Sequence, residues 1–360
     1  MDWQDPLRSL APISQHPAKK STVLSELSVI SDQELASLKV NVKLDRFGLG
    51  SARHNRAASI LGYFYQFLED EGRKILAREI LLWIEDKDED KLFELANHLV
   101  AAILLPFKAS GGKAPAPVSL PSIFLDQDAD IEEAMASIEP SGRQQAKLKQ
   151  LCLRRDGYQC IYSGYFDKVS VKRRKVTLPS TASTGTTEYA HIIPFALGSF
   201  DDRQAVETEN KAVIWWTLYR YFPGLRGKID TASINQLENV VTLFDAVHTE
   251  FGDFDLTFWP QENALHSYET TLAMNTFAIH PKSGSSVIQL QQHDTSVPMP
   301  DPEYFKVHAI ISRILEVSGL GSEIDQFLEA AAEAAENLDP NGSSDLGCLL
   351  SLKMLTRTWV

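Results

Sequence analysis

The chain runs Ala190-His191-Ile192-Ile193-Pro194-Phe195 and, later, Asn239-Val240-Val241-Thr242-Leu243-Phe244-Asp245-Ala246-Val247-His248. The first segment belongs to a β-like run, Tyr189 to Ile193, that carries a histidine and is stopped by proline. The second opens on an asparagine and continues through β-branched and apolar residues suited to a short strand, Val240 to Leu243. It reaches a histidine nine residues after Asn239, early on a helix. Strand, strand and helix can pack as one small unit and bring His191 toward His248. An imidazole titrates near neutrality, which suits a general base. A lone histidine after a strand usually does nothing more than pack, so the pair with its asparagine carries the weight.

Two flanking pieces extend the pattern. Arg155-Asp156-Gly157-Tyr158-Gln159-Cys160-Ile161-Tyr162-Ser163-Gly164 precedes it, and Phe251-Gly252-Asp253-Phe254 closes it. Together these pieces resemble the HNH endonuclease family and its ββα-metal motif, in particular the divergent branch common in fungi. The resemblance covers residues 150–260. It implies metal-dependent hydrolysis of nucleic-acid phosphodiester bonds, with His191 as general base and His248 as a metal ligand. Asn239 would brace the connection between the strands and keep His191 aimed. The implied cofactor is one divalent ion, Mg²⁺ first, with Mn²⁺ or Zn²⁺ as alternatives.

The chain departs from the family in places that matter. Many members carry a metal ligand directly before the catalytic histidine, where this chain has Ala190, and some carry another at the position of Gly252. A single imidazole binds a divalent ion weakly. Asp245, Glu250 and Asp253 lie near His248 in sequence, and Asp253 is taken as its companion ligand. The paired cysteines of zinc-knuckle relatives are missing too: Cys160 stands with Ser163, and Phe244 with Val247. Apolar packing is expected in place of zinc, with Cys160 a buried small hydrophobe.

Charge gives the site a partner. The 360 residues hold 35 basic and 48 acidic side chains, net −13, an awkward total for a protein that meets nucleic acid. Ten basic residues nevertheless fall between Arg143 and Lys175 against only Asp156 and Asp167. From this segment Arg154, Arg155, Lys172, Arg173, Arg174 and Lys175 are the expected phosphate contacts, with DNA ahead of RNA as the partner. Trp215-Trp216 with Tyr219, Arg220 and Tyr221 could stack on bases, but at helical spacing such residues more often pack.

The rest of the chain frames this core as an α+β protein with a helical N-terminal region and helical insertions. The expected division is 1–108 helical, 109–122 a Gly/Pro-rich linker, 123–340 the nuclease-like domain and 341–360 a loosely attached tail. Apolar spacing predicts helix from Leu24 to Phe107, including one from Lys91 to Leu105 that ends before Pro106. Further helices are expected from Ser141 to Arg155, Gln204 to Tyr221, Tyr304 to Leu315 and Glu323 to Glu336. Extra strands are expected at Gln159–Tyr162 and Lys175–Leu178, with a flexible loop from Pro179 to Thr187. The N-terminal region shows no paired catalytic groups and is read as a protein-contact module. The longest apolar run, Leu99 to Phe107, is too short to span a bilayer, and the N-terminus lacks a signal-like stretch. An intracellular protein, nuclear or cytoplasmic, is expected, and three cysteines fit a reducing compartment. The competing expectation is a non-cleaving HNH-like protein, serving as a binding scaffold or recruited to a fungal biosynthetic pathway.

Overall fold

The computed structural model describes residues 32–85, 88–109, 124, 128–140, 145–273, 278–336 and 359–360. The expected linker beyond Ala109, the cap at Ser141, Arg143 and most of the C-terminal tail lie outside them.

The N-terminal region folds as helices α1 (Asp32–Gly48), α2 (Ala52–Phe67), α3 (Asp70–Glu85) and α4 (Glu89–Leu99). Ser51 starts α2 by accepting a hydrogen bond from the His54 amide at 3.3 Å. Apolar residues at three- and four-residue spacing, among them Ile60, Leu61, Phe64, Leu76 and Ile80, are buried, and their packing rather than intrinsic propensity stabilises helices of this length. Leu68 adopts an extended backbone and separates α2 from α3.

Pro106 does not end its helix. After Leu99 the chain widens into a π-turn, Val100–Leu104, and continues as the short helix α5 (Leu105–Lys108), with α6 (Asp128–Ser137) next along the chain. A proline inside a regular α-helix strikes the carbonyl four residues back. The π-turn displaces that carbonyl, and proline at the start of the following turn leaves no amide unpaired.

The centre of the molecule is an antiparallel pair, β3 (Thr187–His191) with β4 (Val240–Phe244), in which His191 stands opposite Val240. Helix α9 (Ala205–Tyr221) is inserted between the two strands, and α10 (Asp245–Gly252) follows β4 directly and packs on both. Helix α7 (Gln145–Arg155) covers the opposite face, where Leu148 and Cys152 bury Val240 against Tyr189. Beyond α10 a three-stranded antiparallel sheet forms from β5 (Leu256–Pro260), β6 (Ser267–Leu272) and β7 (Val287–Gln289), followed by α11 (Pro302–Ser318) and α12 (Leu320–Glu336).

Two strand expectations give way. Gln159 makes only an isolated bridge to Phe166, and Lys175–Leu178 forms no strand. The expected loop from Pro179 to Thr187 instead contains β2 (Thr184–Gly185), paired parallel to β1 (Phe166–Asp167). The reason lies in the cations: Lys172, Arg173, Arg174 and Lys175 are all exposed around a left-handed turn at Arg174 (φ 54°), and such a run has no face to bury.

Buried side chains from Val40 to Phe327 form one continuous cluster, so the N-terminal helices pack on the same core as the hairpin. Gly72 brings α3 against α9: a Cβ there would lie 2.0 Å from the carbonyl oxygen of Tyr221. Glu79, buried, bonds Arg220 and accepts from the Tyr221 hydroxyl at 2.6 Å. Trp215 is buried, with Nε1 donating to the Leu197 carbonyl at 2.9 Å, so this part of the aromatic run packs rather than offering a stacking platform. Among the described residues no helix is long and apolar enough to cross a membrane.

Candidate active site

The site begins with Asn239, which precedes β4 and is fully buried. Its Oδ1 accepts from the Ile193 amide at 2.8 Å, and its Nδ2 donates to the carbonyls of Ile193 and Ile234, both at 2.9 Å. Its own carbonyl accepts from the Ile192 amide at 2.9 Å. One side chain thereby fixes the backbone just past His191.

His191 ends β3 between Tyr189 and Phe195, whose ring centroids each lie 5.6 Å away. Its Nε2 is 2.9 Å from Oδ1 of Asn235. An amide oxygen only accepts, so Nε2 carries the hydrogen and Nδ1 keeps its lone pair. Burial pushes the His191 pKa down to about 4; the Asn235 hydrogen bond opposes the shift, and the charge of nearby His248 adds to it. His191 is therefore neutral at physiological pH, the form that can accept a proton.

His248 lies on α10, near enough for that charge to be felt, although no hydrogen bond joins the rings. Its Nδ1 is 2.7 Å from Oε2 of Glu188, with the two side chains 35% and 51% exposed. Strand alternation places Glu188 and Ala190 on one face of β3 and Tyr189 and His191 on the other.

Asp253, expected beside His248, caps the C-terminus of α10 instead. Five residues turn a helix by about 140° beyond a full revolution, away from His248. There the Asp253 charge is felt by Glu250 and Asp255, and its carbonyl accepts from Lys108 Nζ at 3.3 Å. The carboxylate against His248 is Glu188.

Arg155 also changes role. It is fully buried, and its guanidinium bonds Asp156, the Leu237 carbonyl at 2.7 Å and the Val240 carbonyl at 2.6 Å. Asp156 in turn accepts from the Thr242 amide at 2.8 Å. The Arg-Asp pair thus clamps α7 to β4, and Arg155 cannot reach a phosphate. Cys160 is buried as expected, and its sulfur accepts from the Ser163 amide at 3.3 Å.

The other cations are on the surface. Arg154 pairs with Asp294. Lys172 ends the short helix α8 (Lys168–Lys172), and Arg173, Arg174 and Lys175 follow it; the helix is capped by Asp167, whose carboxylate takes the Ser170 amide at 2.6 Å and the Thr187 hydroxyl at 2.9 Å. The basic turn is thereby tied to the first residue of the strand that bears Glu188 and His191.

Among the described residues no group of three or more His, Cys, Asp or Glu side chains is assembled to hold a metal. Glu188 and His248 offer one oxygen and one nitrogen. That set suits a hydrated Mg²⁺ or Mn²⁺, which keeps several waters and takes further oxygens from phosphate, and it falls short of the four donors of structural zinc.

Glu188 and Asn235 were missed in the sequence. For Glu188 the signal was there: two residues before Ala190 on a strand is the same face. Asn235 comes from the loop before β4, and nothing in its spacing marks it.

Residues 160–258 match the family model of the HNH endonuclease, a span that contains His191, Asn239 and His248 and stops short of Arg155. Comparisons with curated proteins and with solved structures find no match to the chain.

Proposed function

From the HNH-family domain at residues 160–258, we propose that this protein is a metal-dependent endonuclease that cleaves nucleic-acid phosphodiester bonds. What supports this above all is a neutral His191, held by Asn235 and close enough to His248 to feel its charge.

In this reading Nδ1 of His191 takes a proton from the water that attacks phosphorus. Asn235, accepting from Nε2, steadies the imidazolium that forms. Asn239 holds the turn after His191 so that the ring cannot swing away. His248 would hold the divalent ion, which when bound offsets charge on the phosphate and the departing 3′ oxygen. Lys172, Arg173, Arg174 and Lys175, with Arg154 partly engaged by Asp294, draw in the backbone of DNA without reading its sequence.

The test is plasmid nicking in Mg²⁺ or Mn²⁺. His191→Ala should lose activity at least a hundredfold while keeping its fold and its metal affinity. Undiminished nicking by that variant refutes the assignment. The buried Ala190 at a customary ligand position favours a second reading, a binding scaffold that no longer cleaves. A wild type that shifts DNA in a gel but never nicks it would establish that alternative.

A further inference from the structure

The proposed metal site lacks a ligand where the family most often places one. Ala190 is fully buried and has no donor, and Asp253 sits around the helix from His248. Hard divalent cations are seldom held by imidazole alone; Mg²⁺ sites use one or two carboxylates, with water and phosphate filling the remainder. Among the described residues, the carboxylate paired with His248 is that of Glu188. We propose that Glu188 is a direct metal ligand, and that Glu188 and His248 together form the cation seat of this domain. This rests on the hydrolytic reading above.

Three observations converge on it. Glu188 occupies the same face of β3 as position 190, one pleat earlier, so a ligand moved two residues along the strand still faces α10. Its Oε2 lies 2.7 Å from Nδ1 of His248. Two donors bound side by side to an octahedral ion at about 2.1 Å are separated by about 3.0 Å, so the ion would replace the proton between them, released to solvent, with the pair opening only slightly. Both side chains reach solvent, at 51% and 35% exposure, which leaves room for the remaining waters and an incoming phosphate.

The bland alternative is an exposed ion pair, which contributes little to stability and needs no further purpose. A related one makes Glu188 an orienting group that accepts from Nδ1 while only Nε2 of His248 meets the metal. The substitution Glu188→Gln separates a direct ligand from both. A glutamine oxygen can still accept from Nδ1 and preserve an orienting role, but it lacks the charge a hard cation needs.

The experiment is a Mn²⁺ titration of the full chain, followed by the electron paramagnetic resonance signal of the free aqua ion. It is run on wild type, E188Q, H248A and H191A, with circular dichroism to verify folding. Expected are one bound Mn²⁺ in the wild type, at least tenfold weaker binding in E188Q and in H248A, and binding near wild type in H191A. If E188Q binds Mn²⁺ within twofold of wild type while H248A loses it, Glu188 is not a ligand, and the hydrolytic reading stands. If the wild type takes up no Mn²⁺ and nicks no plasmid, both ideas fall together.

Discussion

Asn239 pairs its side-chain amide with both backbone groups of Ile193: the Ile193 amide donates to Oδ1 at 2.8 Å, and Nδ2 donates to the Ile193 carbonyl at 2.9 Å. The contact imitates a rung of a sheet ladder where the chain has already left the sheet, two residues past His191. Replacing it with alanine strands the Ile193 amide and the carbonyls of Ile193 and Ile234 in the interior. Each such loss costs about 1–3 kcal/mol before relaxation. Asn239→Ala should therefore lower stability by about 2–4 kcal/mol in urea unfolding, and nicking should fall further than the loss of folded protein explains. A variant as stable as wild type would show that the clamp is dispensable.

The two arginines at the end of α7 should part company. Arg155 is buried with Asp156 and three backbone carbonyls, so Arg155→Ala leaves Asp156 in the core without its counter-ion. That cost is about 3–5 kcal/mol, read in thermal or urea melts. Changing Lys172, Arg173, Arg174 and Lys175 together to alanine should leave the melting temperature within a degree or two. In a salt titration the same variant should bind DNA more weakly and with a shallower slope, by about 0.9 for each phosphate that is no longer neutralised. A quadruple variant with an unchanged slope would place the nucleic-acid surface elsewhere.

What the sequence could and could not disclose follows from the range of each interaction. The ββα core was legible because its signals are local: a proline after one strand, β-branched residues in the next, and a histidine at a fixed offset from Asn239. Arg155 was misjudged because a basic segment predicts charge and not depth. Its burial depends on carbonyls at Leu237 and Val240, more than eighty residues along the chain. Asp253 lies near His248 in sequence, but five residues along a helix put it out of phase with that ring. The continuation through Pro106 depended on a π-turn that propensity does not foresee.

Activity should respond to pH through Asn235. With its pKa pushed down to about 4 by burial, His191 remains a free base well below neutrality. The acid limb of the nicking profile should accordingly lie between pH 4 and 5, provided metal occupancy is held constant. Asn235→Ala removes the acceptor that favours the imidazolium. It should cut the rate about tenfold to a hundredfold and move the acid limb lower. An acid limb near 6.5 in the wild type would mean that His191 is solvated when it works.

Stability should fall in acid for a separate reason, at His308. That ring is stacked between Phe251 and Phe254, with centroids at 4.1 and 4.5 Å, and its Nε2 donates to the Phe251 carbonyl at 3.1 Å. Its Nδ1 is buried without a partner. Burial pushes the pKa down to about 3, against 6.5 for the ordinary group. Between these values the unfolded chain binds the proton and the folded one does not, so stability decreases as pH falls, by at most about 1.4 kcal/mol per pH unit. His308→Phe keeps the stack and removes the titration. Urea midpoints measured from pH 7 to 4 should slope less steeply for H308F than for wild type, and parallel slopes would show that His308 can be protonated without unfolding.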